Sequence, residues 1–280
     1  MELFVVSTAL VANDTHCVMV KPIHSQRVSI IFKFLSWQEA NMEFLEFVSD
    51  DAFLGEVKIL LTKAIKKRES AEKSFNSNVI DPFGAFFESP GFHNHQEWRN
   101  SEMARQCQKT IQNHVGTFHQ RLLGHVDGWE DMGTGGIVDL HNPKKKIIAE
   151  IKNKYSTVTG GDLAAKYYSL NDLISNKHSR FKNYSSYFVK IIPKNPIRIN
   201  TTFTPSDKEK GSRCPANENI RIIDGASFYE LVTGREHALR ELHTTLPDAI
   251  EYIYRNDFGI EGVVIADRQK FMQYFELAYG

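Results

Sequence analysis

Three residues near the middle of the chain are of the types that hold a divalent cation and activate water. They are Asp139 in the run GGIVDLHN, and Glu150 and Lys152 in the run IIAEIKNK. A basic turn containing Pro143 separates the two runs. Alternate side chains of a strand share a face, so Ile147, Ala149 and Ile151 lie on one side of the second run and Ile148, Glu150 and Lys152 on the other. In the first run, Val138 and Leu140 likewise oppose Ile137 and Asp139. With the turn centred between Pro143 and Lys144, Asp139 falls opposite Ile148 and diagonal to Glu150 on the same face. Diagonal partners lie roughly 7–8 Å apart, near enough for two carboxylates to converge on one cation.

Two carboxylates with backbone carbonyls and water make the hard-oxygen set that magnesium takes. A lysine two residues beyond the second acid reaches the same cleft. Its charge there holds an attacking water and offsets charge developing at phosphorus. The plainer reading is a solvated strand face, since Glu-x-Lys is ordinary on a half-exposed strand. Acids are depleted from strand interiors, and a second one in the preceding run shifts the balance toward a site. Spacing alone leaves both readings open.

Periodicity supplies the elements that carry these residues. An amphipathic helix runs through Val57, Leu60, Leu61, Ala64 and Ile65, with Asp50 and Asp51 as its expected N-caps. Residues 78–92, with Pro82, Pro90 and two glycines, are a turn-rich connection. A second helix is expected over about 101–123, with a core stripe of Met103, Cys107, Ile111, Val115, Phe118 and Leu122. Beside that stripe, Gln108, Gln112 and His119 either face a ligand or are surface amides and a satisfied histidine. Strands follow at about 136–141 and 146–153, then a helix from Asp162 to about Asn176 and a strand at 186–193. A long polar and basic excursion leads to the strand at 220–224. Helices at 226–233 and 236–255, the latter interrupted near Pro247, precede a strand IEGVVIA and a last short helix.

The 280 residues are read as one main domain, and a hydrophobic share of 41% with 24% charged residues fits a folded globular chain. Lysine plus arginine equals aspartate plus glutamate at 34 each, which excludes a nucleic-acid binder held by bulk charge alone. Charge is locally positive: between 144 and 154 five lysines face only Glu150, and between 190 and 221 seven basic residues face Asp207, Glu209 and Glu218. Cys17, Cys107 and Cys214 have no metal-ligand spacing and read as reduced thiols of a cytoplasmic protein. No export signal is expected, because the opening apolar run begins with an acid. The first 41 residues, with short β-like runs, are either an extension before a start at Met42 or an extra pair of edge strands.

Asp139 followed by Glu150-Ile151-Lys152 resembles the active-site signature of the PD-(D/E)xK nuclease superfamily. Longer phrases, among them RQCQKTIQNHVGTFHQRLLGHVDGW, AEIKNKYSTVTG, YFVKIIPK and IRIIDGASFYELVTG, resemble type II restriction endonucleases that cut at GGNCC. The likeness runs from about Glu46 to about Ile250, and the first 41 residues match nothing in that group. Val138 stands where the signature has proline, a residue that supplies no catalytic atom.

The resemblance implies an α/β (α+β) fold with a restriction-endonuclease-like core, a mixed central sheet flanked by helices. It implies Asp139 and Glu150 as metal ligands, the carbonyl of Ile151 as a third, and Lys152 to orient or activate the water. The activity implied is magnesium-dependent, in-line hydrolysis of double-stranded DNA that leaves 5′-phosphate and 3′-hydroxyl ends. A companion DNA methyltransferase is implied with it. Glu102 is either an extra carboxylate or an acid placed in a first helical turn by the helix dipole.

Arginine bidentate to guanine is the commonest specific contact in the major groove. The excursion of about 195–221 offers Arg198, Asn200, Lys208, Lys210, Arg213 and Arg221 on a loop too long for a simple connection. Arg198 and Arg213 are expected to read guanines and the lysines to touch phosphates; the alternative is a solvated insertion. A palindromic site implies a two-fold symmetric homodimer, with the second helix and the 236–255 helix as candidate surfaces. Two other functions compete: a repair or recombination nuclease using the same acids, and a non-catalytic DNA-binding module.

Overall fold

A strand that opens Ile-Ile-Ala has no polar face to show to water and needs cover on both sides. In the computed structural model, which describes residues 43–133, 135–158 and 160–280, that strand lies inside a six-stranded sheet. In chain order the helices are α1 (Asp50–Glu69), α2 (Ala71–Ser74), α3 (Pro82–Glu88), α4 (His95–Gly124), α5 (Gly160–Ser175), α6 (Gly225–Thr233), α7 (Ala238–Asn256) and α8 (Arg268–Tyr279). The strands are β1 (Glu130–Asp131), β2 (Leu140–Asn142), β3 (Ile147–Lys154), β4 (Ser185–Ile192), β5 (Asn200–Thr202), β6 (Ser206–Asp207), β7 (Ser212–Arg213) and β8 (Ile220–Asp224). The sheet order is β1-β2-β3-β4-β8-β5, while β6 and β7 form a separate hairpin. β3 with β4 and β4 with β8 are parallel; the outer pairs are antiparallel. The expected mixed sheet flanked by helices is the one observed.

Alternation along β3 sorts its side chains between two cores. Ile147, Ala149 and Ile151 join Phe53 and Val57 of α1, Phe118 and Leu122 of α4, and residues of α6 and α7. Ile148 joins Tyr167, Leu170 and Ile174 of α5 on the other face, with Phe188, Phe203 and Ile220. β8 runs straight into α6 because Asp224 caps the helix by accepting from the Ser227 N–H. Gly225 is required at that joint: a Cβ there would sit 2.3 Å from the Ile191 carbonyl oxygen.

Several expectations change. The first helix is capped by Ser49, while the Asp50 carboxylate accepts the Phe44 N–H, a bond back to the preceding segment. The strand expected at 136–141 begins only at Leu140, because Gly135 has φ of 108° and residues 137–139 bend. Val138 and Leu140 accordingly enter different cores instead of sharing a face. The helix through Pro247 is continuous, since Leu239 and Leu242 before the proline and Ala249 and Ile253 after it are all buried. No strand forms at IEGVVIA: Gly259 and Gly262 have φ of 65° and 76°, and Val264 is 72% exposed.

The 195–221 excursion is not a free loop. Its residues Asn200–Thr202 pair with β8 as the edge of the main sheet, and Phe203 stacks on Phe188 at 5.0 Å between ring centroids. Cys107 and Cys214 are buried free thiols. Among the described residues no helix is long and apolar enough to cross a membrane. The readings of residues 1–41 and of a start at Met42 lie outside the described residues.

Candidate active site

The β2–β3 connection is a four-residue turn, Pro143–Lys146, in which Lys146 takes φ of 54° and the Asn142 side chain accepts the Lys145 N–H at 2.8 Å. Its centre lies one residue later than expected. The observed register pairs Leu140 with Ala149 and His141 with Ile148. Asp139 is therefore not opposite Ile148. Its N–H donates to the Ala149 carbonyl at 2.9 Å, and its Oδ2 accepts the Ile151 N–H at 2.5 Å. Those two bonds straddle Glu150, so the acids come beside each other rather than across a diagonal.

Glu150 is 8% exposed, and its Oε1 accepts two ammonium groups: Lys152 Nζ at 2.8 Å and Lys166 Nζ, from α5, at 2.6 Å. Burial alone raises the Glu150 pKa, but the hydrogen bonds and charges of Lys152 and Lys166 outweigh it and hold the carboxyl below the usual range. Asp139 goes the other way. Burial first, and the neighbouring Glu150 charge second, raise it against the opposing Ile151 N–H and the two lysines. The opposite shifts follow from placement: the lysines sit on Glu150, while Asp139 is buried beside the Glu150 charge.

The backbone of Asp139 is clamped from two sides. Its carbonyl accepts the Met132 N–H at 3.0 Å and Gln120 Nε2 of α4 at 3.3 Å, and Gln120 also donates to Asp131 Oδ1 at 2.6 Å. Gly136 lets the chain double back here, since a Cβ would meet the Met132 and Val138 carbonyl oxygens at 2.8 Å. Asp139 borders a cleft of about 520 Å³ whose walls also include Ile151, Lys152, Gln112, Gln120 and Asn153.

Asp139 Oδ1 and Glu150 Oε2 make no hydrogen bond among the described residues. One open oxygen from each acid beside the backbone of Ile151 is a hard-oxygen donor set, which fits magnesium. Among the described residues no group of three or more His, Cys, Asp and Glu side chains is placed to hold a metal, so a cation here would rely on backbone and water for its remaining ligands.

Of the other residues singled out, Gln112 faces this cleft. His119 does not: it is a core histidine whose Nδ1 lies 2.7 Å from the Tyr229 hydroxyl, and full burial lowers its pKa to about 4. Gln108 is exposed. Glu102 is buried seven residues beyond His95, so the helix dipole does not account for it; bonds from Arg105 and Gln106 do. Sequence reasoning missed Lys166 and Gln120. Gln120 had a signal, because Gln112, Gly116 and Gln120 repeat at the four-residue step that shares a helix face. Lys166 had none beyond its place on an amphipathic helix.

The six basic and polar residues of the excursion fall into two groups. Arg198 donates to Ser227 Oγ at 2.8 Å and to Glu230 at 2.5 Å, and Arg221 donates to both the side chain and the carbonyl of Asn200. These three residues serve the β5–β8 edge. Lys208, Lys210 and Arg213 belong to the β6–β7 hairpin and its turn. Lys210 lies over the Tyr168 ring and bonds its hydroxyl at 2.8 Å, whereas Lys208 and Arg213 are exposed with no partner among the described residues.

Residues 45–255 match the family model described as Eco47II restriction endonuclease. The chain is 66% identical over 239 residues to the type II restriction enzyme Eco47II of Escherichia coli, an alignment covering 85% of this chain and all of that protein. It is 31% identical over 215 residues to the type II restriction enzyme Sau96I of Staphylococcus aureus, covering 75% of this chain and 80% of the relative. Matches of that extent make this chain a member of the Eco47II restriction endonuclease family.

Proposed function

We propose that this protein is a type II restriction endonuclease that hydrolyses double-stranded DNA at GGNCC-like palindromes with magnesium as cofactor. The observation that carries the reading is that Asp139 and Lys152 line one cleft, with Glu150 paired to Lys152, in a member of a restriction endonuclease family. Asp139, Glu150 and the Ile151 carbonyl would hold the cation, which when bound would supply polarisation of the phosphate and offset its charge. The Ile151 N–H fixes the Asp139 carboxylate, and Gln120 and Met132 fix its backbone, so the open oxygen is aimed before DNA arrives. Lys152 stands at the cleft wall with its ammonium on Glu150, where it orients the attacking water. The water gives up one proton to solvent as its oxygen bonds to phosphorus and the bond to the 3′-oxygen breaks. That oxygen leaves as a hydroxyl with a solvent proton, and the phosphate stays on the 5′ end.

For reading the site, Lys208 and Arg213 have free donors on the hairpin, and Lys210 is half engaged with Tyr168. Arg213 is the residue assigned to guanine and the lysines to phosphates. Arg198 and Arg221 reach DNA by giving up their present bonds. The protein acts as a homodimer in the cytoplasm, beside a methyltransferase that protects host sites. Incubation with plasmid and magnesium tests the reading. Discrete bands support it, a smear indicates an unspecific nuclease, and a shifted but uncut plasmid indicates a binding module.

A further inference from the structure

Glu150 holds more positive charge than a structural ion pair requires. One lysine, Lys152, already pairs with its Oε1 at 2.8 Å, yet Lys166 reaches in from a different element to the same oxygen at 2.6 Å. Two like charges on one atom repel, and each long side chain gives up rotamer freedom to be there. Lys166 is 39% exposed, so water was open to it as an alternative. Lys166 lies on the helix whose buried stripe is Ala164, Tyr167, Leu170 and Ile174, so the packing of α5 delivers the ammonium to Glu150.

The count of charges explains the excess. Asp139, Glu150, Lys152 and Lys166 sum to zero with no ligand present. Adding a divalent cation and one phosphodiester makes the group positive by one. Attack by a water that has lost its proton adds one negative charge at phosphorus, and the group returns to neutral only with both lysines in place. Resting on the endonuclease reading above, we propose that Lys166 is a second working lysine of the site. It holds Glu150 Oε1 in the DNA-free protein and moves to a non-bridging oxygen of the scissile phosphate in the complex, where it neutralises the charge that develops there.

The test compares Lys166→Met and Lys166→Gln with the unaltered protein in single-turnover cutting at saturating DNA and magnesium, and in calorimetric titration of the DNA-free protein with manganese. Glutamine retains a donor for Glu150 without the charge. Both variants are expected to cut at least ~100-fold more slowly, the size of effect that follows loss of one transition-state donor. Manganese is expected to bind each at least as tightly as it binds the unaltered protein, because a competing cation has gone. Cutting by Lys166→Gln within about threefold of the unaltered protein would overturn the proposal, since positioning Glu150 would then suffice. A rate loss that disappears at higher metal concentration, together with weaker manganese binding, would overturn it too. Should methionine prevent folding, as seen in a lost thermal transition, the glutamine variant carries both measurements. The endonuclease reading fails separately: that outcome is an unaltered protein that leaves plasmid uncut, or a Lys152→Ala variant that cuts normally.

Discussion

Two positively charged regions of this protein use their charge in opposite ways. On β3, Lys152 at a cleft wall and Lys166 from α5 share one buried carboxylate, Glu150. At the β5–β8 edge, Arg198 and Arg221 are spread among Ser227, Glu230, Asn200 and Glu218, largely at the surface. The first arrangement gathers unlike and like charges on one buried carboxylate, where each contact is stronger than it would be in water. The second distributes bonds in water, where ion pairs contribute little and mainly fix an edge strand. Burial, more than the number of basic residues, separates a site from a brace.

The widest gap between the two regions should appear in activity. Lys152→Ala is expected to slow cutting by about 10²- to 10³-fold while leaving DNA binding in place, read by single-turnover cleavage and a mobility shift in calcium. Full activity in that variant would remove the β3 cluster from the chemistry. Arg213→Ala should sit between the regions, losing about 1–3 kcal/mol of discrimination at one base pair with cutting of loosened sites. Unchanged preference against a panel of single-substituted sites would leave the hairpin without a reading role.

Stability sharpens the same contrast. The Asp139 carboxyl is raised in the fold by burial and by the Glu150 charge, so its ionised form costs stability above its folded pKa. That cost falls away as pH drops toward the ordinary aspartate value of roughly 3.9, below which both folded and unfolded forms are protonated. Asp139→Asn is therefore expected to raise the melting temperature at pH 7 by about 2 °C or more, with the gain vanishing near pH 4. A melt showing no gain at pH 7 would contradict the stated electrostatics. The smallest effect is reserved for Arg198→Ala. Its pair with Glu230 is solvent-exposed, and the loss should stay within about 1 kcal/mol in denaturant melts, with site preference unaltered. A changed preference would return Arg198 to the DNA surface.

Much of this architecture was legible residue by residue. The alternation of Ile147 to Lys152 placed Ile147, Ala149 and Ile151 on one face and Ile148 on the other, as the two cores confirm. The run IRIID gave β8 at its observed bounds, and the apolar stripe of the second helix packs inward at Cys107, Phe118 and Leu122. IEGVVIA misled because its β-branched residues resemble a strand, whereas Gly259 and Gly262 at positive φ turn the segment and β5 takes the place beside β8. β5 itself was hidden in polar residues, because Asn-Thr-Thr becomes a strand through pairing with β8 and the anchoring of Phe203 on Phe188.

The residue types, their alternation and the family likeness were therefore determined by the order of amino acids alone, for each depends on neighbours a few positions away. Only the tertiary structure decided that the turn at Pro143–Lys146 would bring Asp139 alongside Glu150, that Gln120 would clamp it, and that Lys166 would arrive from α5. Those contacts depend on how distant elements dock. Docking is governed by the burial of whole apolar faces, and it leaves little mark in the few residues whose chemistry it joins: a four-residue repeat at Gln120, nothing at Lys166.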